Sequence, residues 1–140
     1  SGYNGLATFL AGKGEHEEAS SLFAASLALM RNMPHGERRA VDEARVLRNL
    51  GVEQGATRRF ADGAASLAEA ESIFRQQLGP SNREVAITIL RRGQIEFARG
   101  DAAAAAASAR SVMGDFGLAE TDGPRADAAK LLEAALRPGP

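Results

Sequence analysis

Residues able to perform chemistry are few in this chain of 140 residues. It contains no cysteine, which excludes disulfides and thiolate metal ligands, and His16 and His35 are too few for a histidine-based zinc centre. Ser20 and Ser21 follow His16, but neighbours on one helix rarely form a catalytic triad. No glycine-rich phosphate loop ending in Gly-Lys-Ser or Gly-Lys-Thr occurs. We therefore predict a protein that is not an enzyme and that has no catalytic residue, metal or cofactor.

The charge pattern argues against nucleic acid as a partner. The formal net charge is −1 and the pI is near 6.1, so the chain lacks the basic excess that neutralises phosphates. Three arginine pairs, at 38–39, 58–59 and 91–92, are interleaved with acidic residues and have no aromatic platform for stacking bases. No apolar run reaches the roughly 18 residues of a membrane span, and no signal peptide opens the chain. The sequence thus predicts a cytoplasmic protein that binds neither nucleic acid nor membrane, and its bias towards alanine and arginine is typical of a bacterial source.

Apolar residues recur at helical spacing and indicate an all-α chain. Leu22, Phe23, Leu27 and Met30 form one such stripe, and no run of strand length alternates with a period of two. Glycine and proline clusters separate the stripes at intervals typical of helix hairpins. These stops predict seven helices, near residues 3–12, 15–32, 38–56, 60–78, 82–99, 101–113 and 124–137.

Local capping residues support these boundaries. Ser81 is placed to cap the fifth helix, with Glu84 three residues on completing a capping box. Asp101 is placed to cap the sixth helix, and Gly114 to end it in a left-handed conformation. Pro124 suits the first turn of the seventh helix. The sixth helix begins with a run of alanines, so we expect larger apolar residues to fill the space beside it, namely Val112, Met113, Phe116 and Leu118.

The sequence contains an internal repeat with a spacing of 41–45 residues. In each of three segments a turn residue stands five positions before an alanine that we expect to be buried where two helices cross. The turn residues are Gly14, Arg59 and Gly100, and the alanines are Ala19, Ala64 and Ala105. A small residue recurs in the first helix of each pair, at Ala7, Gly51 and Gly93. The second segment has one extra residue between its small residue and its alanine, which leaves its register open by one position.

These residues resemble the tetratricopeptide repeat, which has a small residue in helix A, a turn glycine and an alanine in helix B. The linker Leu78-Gly79-Pro80 is similar to that of the kinesin-light-chain variant, whose units have this length. The resemblance implies an α-solenoid of about three antiparallel helix hairpins plus a C-terminal capping helix, in a single domain over residues 1–140. The implied repeats span about 3–37, 38–80 and 82–117, and the capping helix spans about 124–137. The charged residues of that helix are expected to face water, namely Arg125, Asp127, Lys130 and Glu133.

The same resemblance implies a ligand groove lined by the A helices. It points to nine residues, which are Asn4, Thr8, Arg45, Arg48, Asn49, Val52, Leu90, Gln94 and Phe97. Asn49 is included, and Glu53 joins it, if the second register slips. The implied function is a non-catalytic scaffold that binds a peptide or partner protein in this groove. Arg45 and Arg48 would attract a carboxylate, and Leu90 and Phe97 would hold apolar side chains. The alternative is that the arginines form a solvated face and the two apolar residues belong to the core.

Two further functions stay open. One is a regulatory segment of a larger bacterial signalling protein, such as a kinase or a transcription regulator, and the opening Ser1-Gly2 would fit an expression-tag scar on such a fragment. The other is a structural module that self-associates through exposed solenoid ends. In that case Tyr3, Leu6 and Phe9 would lie uncovered where upstream repeats are missing.

Overall fold

The chain is all-α in the computed structural model, which describes residues 2–34 and 37–139. Within these ranges there are seven helices and no strand, as the sequence predicts. They are α1 (Gly2–Gly12), α2 (His16–Arg31), α3 (Glu37–Ala56), α4 (Phe60–Leu78), α5 (Arg83–Ala98), α6 (Ala102–Gly114) and α7 (Gly123–Leu136). Each predicted boundary lies within one residue of the observed one, because glycine, proline and capping residues end these helices locally. His35 lies outside the described residues.

The same turn joins α1 to α2, α3 to α4 and α5 to α6, and defines three helix hairpins. One residue in each turn has a positive φ, namely Gly14 (80°), Arg58 (66°) and Gly100 (95°). The amide of the next residue donates a hydrogen bond of 2.8–2.9 Å to a carbonyl five residues back, which closes the first helix. Glycine accepts a positive φ without steric cost, whereas Arg58 adopts it against its ordinary preference. The turn residue of the second hairpin is therefore Arg58, and the prediction of Arg59 is wrong by one position.

The two helices of each hairpin cross at a pair of small, buried residues twelve positions apart. The pairs are Ala7 with Ala19, Gly51 with Gly63, and Gly93 with Ala105. Burial of Ala19 and Ala105 is as predicted. Ala64 is only half-buried, so the prediction for this residue is wrong, because Gly63 occupies the crossing instead. The second hairpin therefore has no extra residue, and the repeat spacing is 44 and then 42 residues.

Successive helices pack against one another from α1 to α7, and α5 also contacts α3 and α7. The largest fully buried apolar side chains are Phe23, Leu67, Phe74, Val85, Leu90 and Val112. Beside the alanine-rich α6, Val112 is buried while Met113, Phe116 and Leu118 pack against the core, which confirms that these residues fill the space there. Every helix within the described ranges is too short or too polar to cross a membrane.

The observed helix caps correct two local predictions. Asn82 caps α5 in place of Ser81, because its side-chain oxygen accepts a 2.9 Å hydrogen bond from the backbone amide two residues on. Gly114 is the last residue of α6 and has no positive φ, whereas Gly117 in the following loop has a φ of 63°. Asp101 caps α6 as predicted, and its side chain accepts a 3.1 Å hydrogen bond from the amide three residues on.

Helix α7 lies against α5 and α6 and turns a polar side outward. Asp127, Lys130 and Glu133 are exposed, as predicted for a capping helix. Arg125 is half-buried instead, and its Nη1 donates a 2.8 Å hydrogen bond to the carbonyl of Leu118. This contact ties the loop before α7 to the helix itself.

Candidate functional site

One position of the repeated hairpin lines an open cavity between α1, α3 and α5, which we call the A helices, and α2 completes part of the wall. The residues at this position are Thr8, Val52 and Gln94, which are 44 and 42 residues apart. They meet around a cavity of about 260 Å³ whose wall is completed by Ala11, Phe23, Asn49, Glu53 and Arg91. A second hollow of about 190 Å³ shares Val52, Arg91 and Gln94 with the first, and its other lining residues are Gly55, Ala56, Ile95 and Ala98. We call the two hollows together the A-helix groove.

Arg91 supplies the positive charge of the A-helix groove. Its side chain is half-buried, and its Nη1 donates a 3.1 Å hydrogen bond to Oε1 of Gln94. In the parts of the chain that are described, no ion pair joins this guanidinium to a carboxylate. A guanidinium in such a hollow can bind a ligand carboxylate through two parallel hydrogen bonds. Asn49 beside it carries a carboxamide, which can both donate and accept.

The carboxylate in the groove wall is held by a histidine of the preceding hairpin. Glu53 is 6% exposed, and its Oε2 lies 2.5 Å from Nδ1 of His16. The contact joins α2 to α3, and the His16 side chain remains 39% exposed. Because an ionised carboxylate is costly to bury without a partner, His16 is the group that allows Glu53 to lie here. The pair therefore positions the groove wall, and its carboxylate is already bound.

Two arginines expected in the groove instead bind a glutamate of the next hairpin. Arg48 donates from Nη1 to Oε1 of Glu84 at 3.4 Å and to Oγ1 of Thr88 at 3.4 Å, and its guanidinium carbon lies 5.0 Å from the centre of the Phe74 ring. Arg45 donates from Nε to Oε2 of the same glutamate at 3.1 Å. Burial lowers the pKa of Arg48, and the Glu84 carboxylate opposes that shift. Both arginines thus link α3 to α5. The Arg48 side chain is largely buried in this contact, whereas the Arg45 side chain remains 51% exposed beside the same glutamate.

The remaining expected residues are dispersed. Leu90 is 1% exposed and belongs to the core, so it is closed to a ligand side chain. Phe97 is 42% exposed but lines neither hollow of the groove. Asn4 lies with Arg45 at a separate hollow of about 370 Å³. Of the nine expected residues, the structure brings four together in the groove, namely Thr8, Asn49, Val52 and Gln94.

Arg91 is the groove residue that sequence reasoning misses. It belongs to an arginine pair that reads as a solvated face, because acidic residues are interleaved with it along the chain. The signal that would find it is the repeat spacing, since Arg91 follows Asn49 by 42 residues and occupies the same hairpin position. The correspondence can be recognised only when the second repeat is aligned with Gly63, rather than Ala64, at the helix crossing.

Metal-binding groups and similarity to other proteins give no further indication of function. In residues 2–34 and 37–139, no group of three or more His, Asp or Glu side chains is placed to hold a metal ion. No protein-family model matches the chain, and no curated protein sequence matches it. The geometry of the A-helix groove is therefore the starting point for function.

Proposed function

We propose that this chain is a tetratricopeptide-type repeat module, wound as an α-solenoid, that binds an extended peptide of a partner protein along the A-helix groove. Support comes from the turn with a positive φ that recurs three times and from the crossing of small residues in every hairpin. The unit lengths of 44 and 42 residues and the packing of each hairpin on the next add to this support.

The observation that carries the proposal is that one hairpin position recurs around one cavity. Thr8, Val52 and Gln94 come from three successive A helices and line the same opening. An extended chain advances about 3.3 Å per residue, so a peptide of about nine residues is roughly 30 Å long and matches the width of three helices, each about 10 Å across.

The groove lining sets the chemistry of the peptide. Arg91 is the group for a ligand carboxylate, and the carboxamides of Asn49 and Gln94 suit the backbone amides of an extended chain. Val52 and Ile95 give the smaller hollow an apolar wall that fits a small apolar side chain. We therefore propose a ligand with an acidic residue close to Ala, Val or Leu. The anchor for its carboxylate is on α5 rather than on α3.

Fluorescence anisotropy with labelled synthetic peptides of about nine residues tests the proposal. Each peptide of the first set contains one Asp or Glu and one Ala, Val or Leu, and the number of residues between the two is varied across the set. In the matched set, Lys replaces the acidic residue. We expect binding by members of the acidic set only. Arg91→Glu should weaken that binding at least about tenfold and reduce its dependence on salt, because a charge facing the ligand acts through screened attraction.

Arg110→Glu is the matched control, because Arg110 is exposed on α6, away from the groove lining. The variant should leave affinity unchanged. If it abolishes binding while Arg91→Glu leaves affinity and salt dependence untouched, the site lies on the other helices of the hairpins and the proposal fails. It also fails if no peptide of the acidic set binds.

A further inference from the structure

A guanidinium fills the junction between the second and third hairpins. The guanidinium carbon of Arg48 lies 5.0 Å from the centre of the Phe74 ring on α4. Its Nη1 donates to two groups on α5, Oε1 of Glu84 and Oγ1 of Thr88, each at 3.4 Å. The Arg48 side chain is only 14% exposed, so ring, carboxylate and hydroxyl form a built site for an arginine head group.

The junction between the first and second hairpins has a hollow in the same place. The residues at the positions of Arg48, Phe74, Glu84 and Thr88 all line one hollow of about 370 Å³. By the repeat spacings of 44 and 42 residues they are, in the same order, Asn4, Met30, Asp42 and Val46. An asparagine thus replaces the longer arginine, and the place that a guanidinium fills at one junction is open at the other.

We infer that this hollow binds an arginine side chain of the partner, in the place that Arg48 takes at the next junction. Met30 and the buried Val46 offer apolar surface to the aliphatic stem of an arginine. The Asp42 side chain is 53% exposed, and its carboxylate can accept two parallel hydrogen bonds from a guanidinium. The volume of the hollow lies within the roughly 300–1,000 Å³ that is typical of small-ligand pockets.

Arg45 also lines the hollow but leaves room at the Asp42 carboxylate. Its Nε donates to Oε2 of Glu84 at 3.1 Å, whereas its Nη1 lies at the longer distance of 3.5 Å from Oδ1 of Asp42. Glu84 provides the precedent for a shared carboxylate, because it accepts from Arg45 and from Arg48 together. Asp42, at the corresponding position, can accept from Arg45 and from a ligand arginine in the same way, since a carboxylate offers about four acceptor sites.

The hollow and the A-helix groove lie on the same faces of α1 and α3. Asn4 precedes Thr8 by four residues, and Arg45 precedes Asn49 by four, so the two sites are about one helical turn apart. One peptide can therefore place an arginine in the hollow and a carboxylate at Arg91. That the arginine and the carboxylate belong to one peptide rests on the proposed function, whereas the arginine site itself does not.

Methyl NMR with ¹³C-labelled methionine tests the site without any peptide. The chain has three methionines, of which Met30 and Met33 line the hollow, whereas Met113 packs against the core at the end of α6 and serves as an internal control. The probe is N-acetyl-arginine amide. Its matched control is the citrulline analogue, in which an uncharged urea group replaces the guanidinium. The arginine probe should shift the first two signals, with the millimolar affinity expected of so small a ligand, and leave Met113 unmoved.

Two variants connect that response to the hollow. Asp42→Asn should weaken binding of the arginine probe at least about fivefold, because a charge-assisted hydrogen bond is lost. Asp62→Asn is the control, since Asp62 is exposed on α4 and lines none of the hollow, and it should leave binding unchanged. Asn4→Arg supplies a guanidinium from the chain itself and should abolish the response.

The stability of Asn4→Arg tests the same contact from within the chain. In a double-mutant cycle with Asp42→Asn, the unfolding equilibrium constants should deviate from additivity by at least about threefold, and the same cycle with Asp62→Asn should be additive. Equal methionine shifts from the arginine and citrulline probes, or a response that Asp42→Asn leaves unchanged, would overturn the inference.

Peptides separate this inference from the proposed function. The acidic peptides are extended by one arginine at either end, or by citrulline at the same place. The better arginine peptide should bind at least about tenfold more tightly than its citrulline counterpart, and Asp42→Asn should remove the difference. Acidic peptides that bind equally well with arginine and citrulline would overturn the inference and leave the proposed function standing. Methionine shifts with the arginine probe, in the absence of binding by every acidic peptide, would support the arginine site and contradict the proposed function.

Discussion

Gly51 and Gly63 meet so closely that a β-carbon on Gly63 would lie 2.8 Å from the carbonyl oxygen of Gly51. The converse holds as well, because a β-carbon on Gly51 would lie 3.0 Å from the carbonyl oxygen of Gly63. The first and third hairpins have an alanine on at least one side of the same crossing. The second hairpin is therefore the tightest of the three, and the backbones of its two helices are in direct contact at the crossing.

Gly63→Ala should destabilise the protein although alanine favours helix. The added β-carbon meets a backbone atom, so α3 and α4 must move apart, and overpacking of this kind costs about 1–3 kcal/mol. The helix propensity gained by replacing glycine offsets about 1 kcal/mol of that cost. Gly5→Ala is the control, because a β-carbon there has open space within 4 Å and only the propensity gain remains. Urea denaturation should show lower stability for the first variant and higher stability for the second, and equal gains would contradict the crossing.

Alanines on the third hairpin provide an independent test of the same register. Ala105 is fully buried at the crossing with Gly93, whereas Ala103 is exposed on the same helix. Ala105→Leu should cost about 1–3 kcal/mol through overpacking, and Ala103→Leu should change stability by less than about 0.5 kcal/mol. Ala64→Leu should resemble Ala103→Leu more than Ala105→Leu, because Ala64 is only half-buried. Thermal melting should show the largest loss for Ala105→Leu, and a loss as large for Ala103→Leu or Ala64→Leu would contradict this register.

Helix number and boundaries follow from the sequence because their causes are local. Glycines such as Gly14 and Gly100 mark turns through their own backbone freedom, and Asp101 caps the helix it precedes. The second register fails because Arg58 takes the left-handed conformation without being glycine, so the turn residue has no signature. Ala64, which directly follows Gly63, is then mistaken for the small residue at the helix crossing.

The groove is harder to predict because the partners of its side chains lie far away along the chain. Arg48 and Glu84 are separated by 36 residues and pair only once α3 packs on α5. Nothing in the residues around Arg48 distinguishes it from a solvated arginine. For Arg91 the error is the reverse, because the sequence suggests a solvated arginine whereas the side chain lines the cavity. The helical periodicity of the sequence assigns each residue to a face of its helix. Which of these faces remains accessible to a ligand depends on how the hairpins pack.

Glu84→Ala should destabilise the junction between the second and third hairpins. The Arg48 side chain is 14% exposed, and without the Glu84 side chain it keeps the backbone carbonyl of residue 84, the Phe74 ring and the Thr88 hydroxyl as neighbours but loses its carboxylate partner. Removing one member of a largely buried charged pair costs about 1–3 kcal/mol, because the remaining charge stays desolvated. Arg45→Ala is the control, since its side chain is 51% exposed and exposed pairs contribute little. A loss for Arg45→Ala as large as for Glu84→Ala, measured by chemical denaturation, would contradict this assignment.

His16 and Glu53 can be exchanged for the residues that hold the same places at the next junction. His16 corresponds to Phe60 and Glu53 to Ile95, by the spacings of 44 and 42 residues. His16→Phe alone leaves a 6%-exposed carboxylate without its imidazole and should cost about 1–3 kcal/mol. Glu53→Ile alone should cost less, because the His16 side chain is 39% exposed and can bind water.

The double variant replaces the pair with two apolar side chains, as at the next junction, and should recover most of the lost stability. A double-mutant cycle should therefore give a coupling of at least about 1 kcal/mol. Simple additivity of the two changes would mean that the contact between Nδ1 and Oε2 does not hold the first two hairpins together.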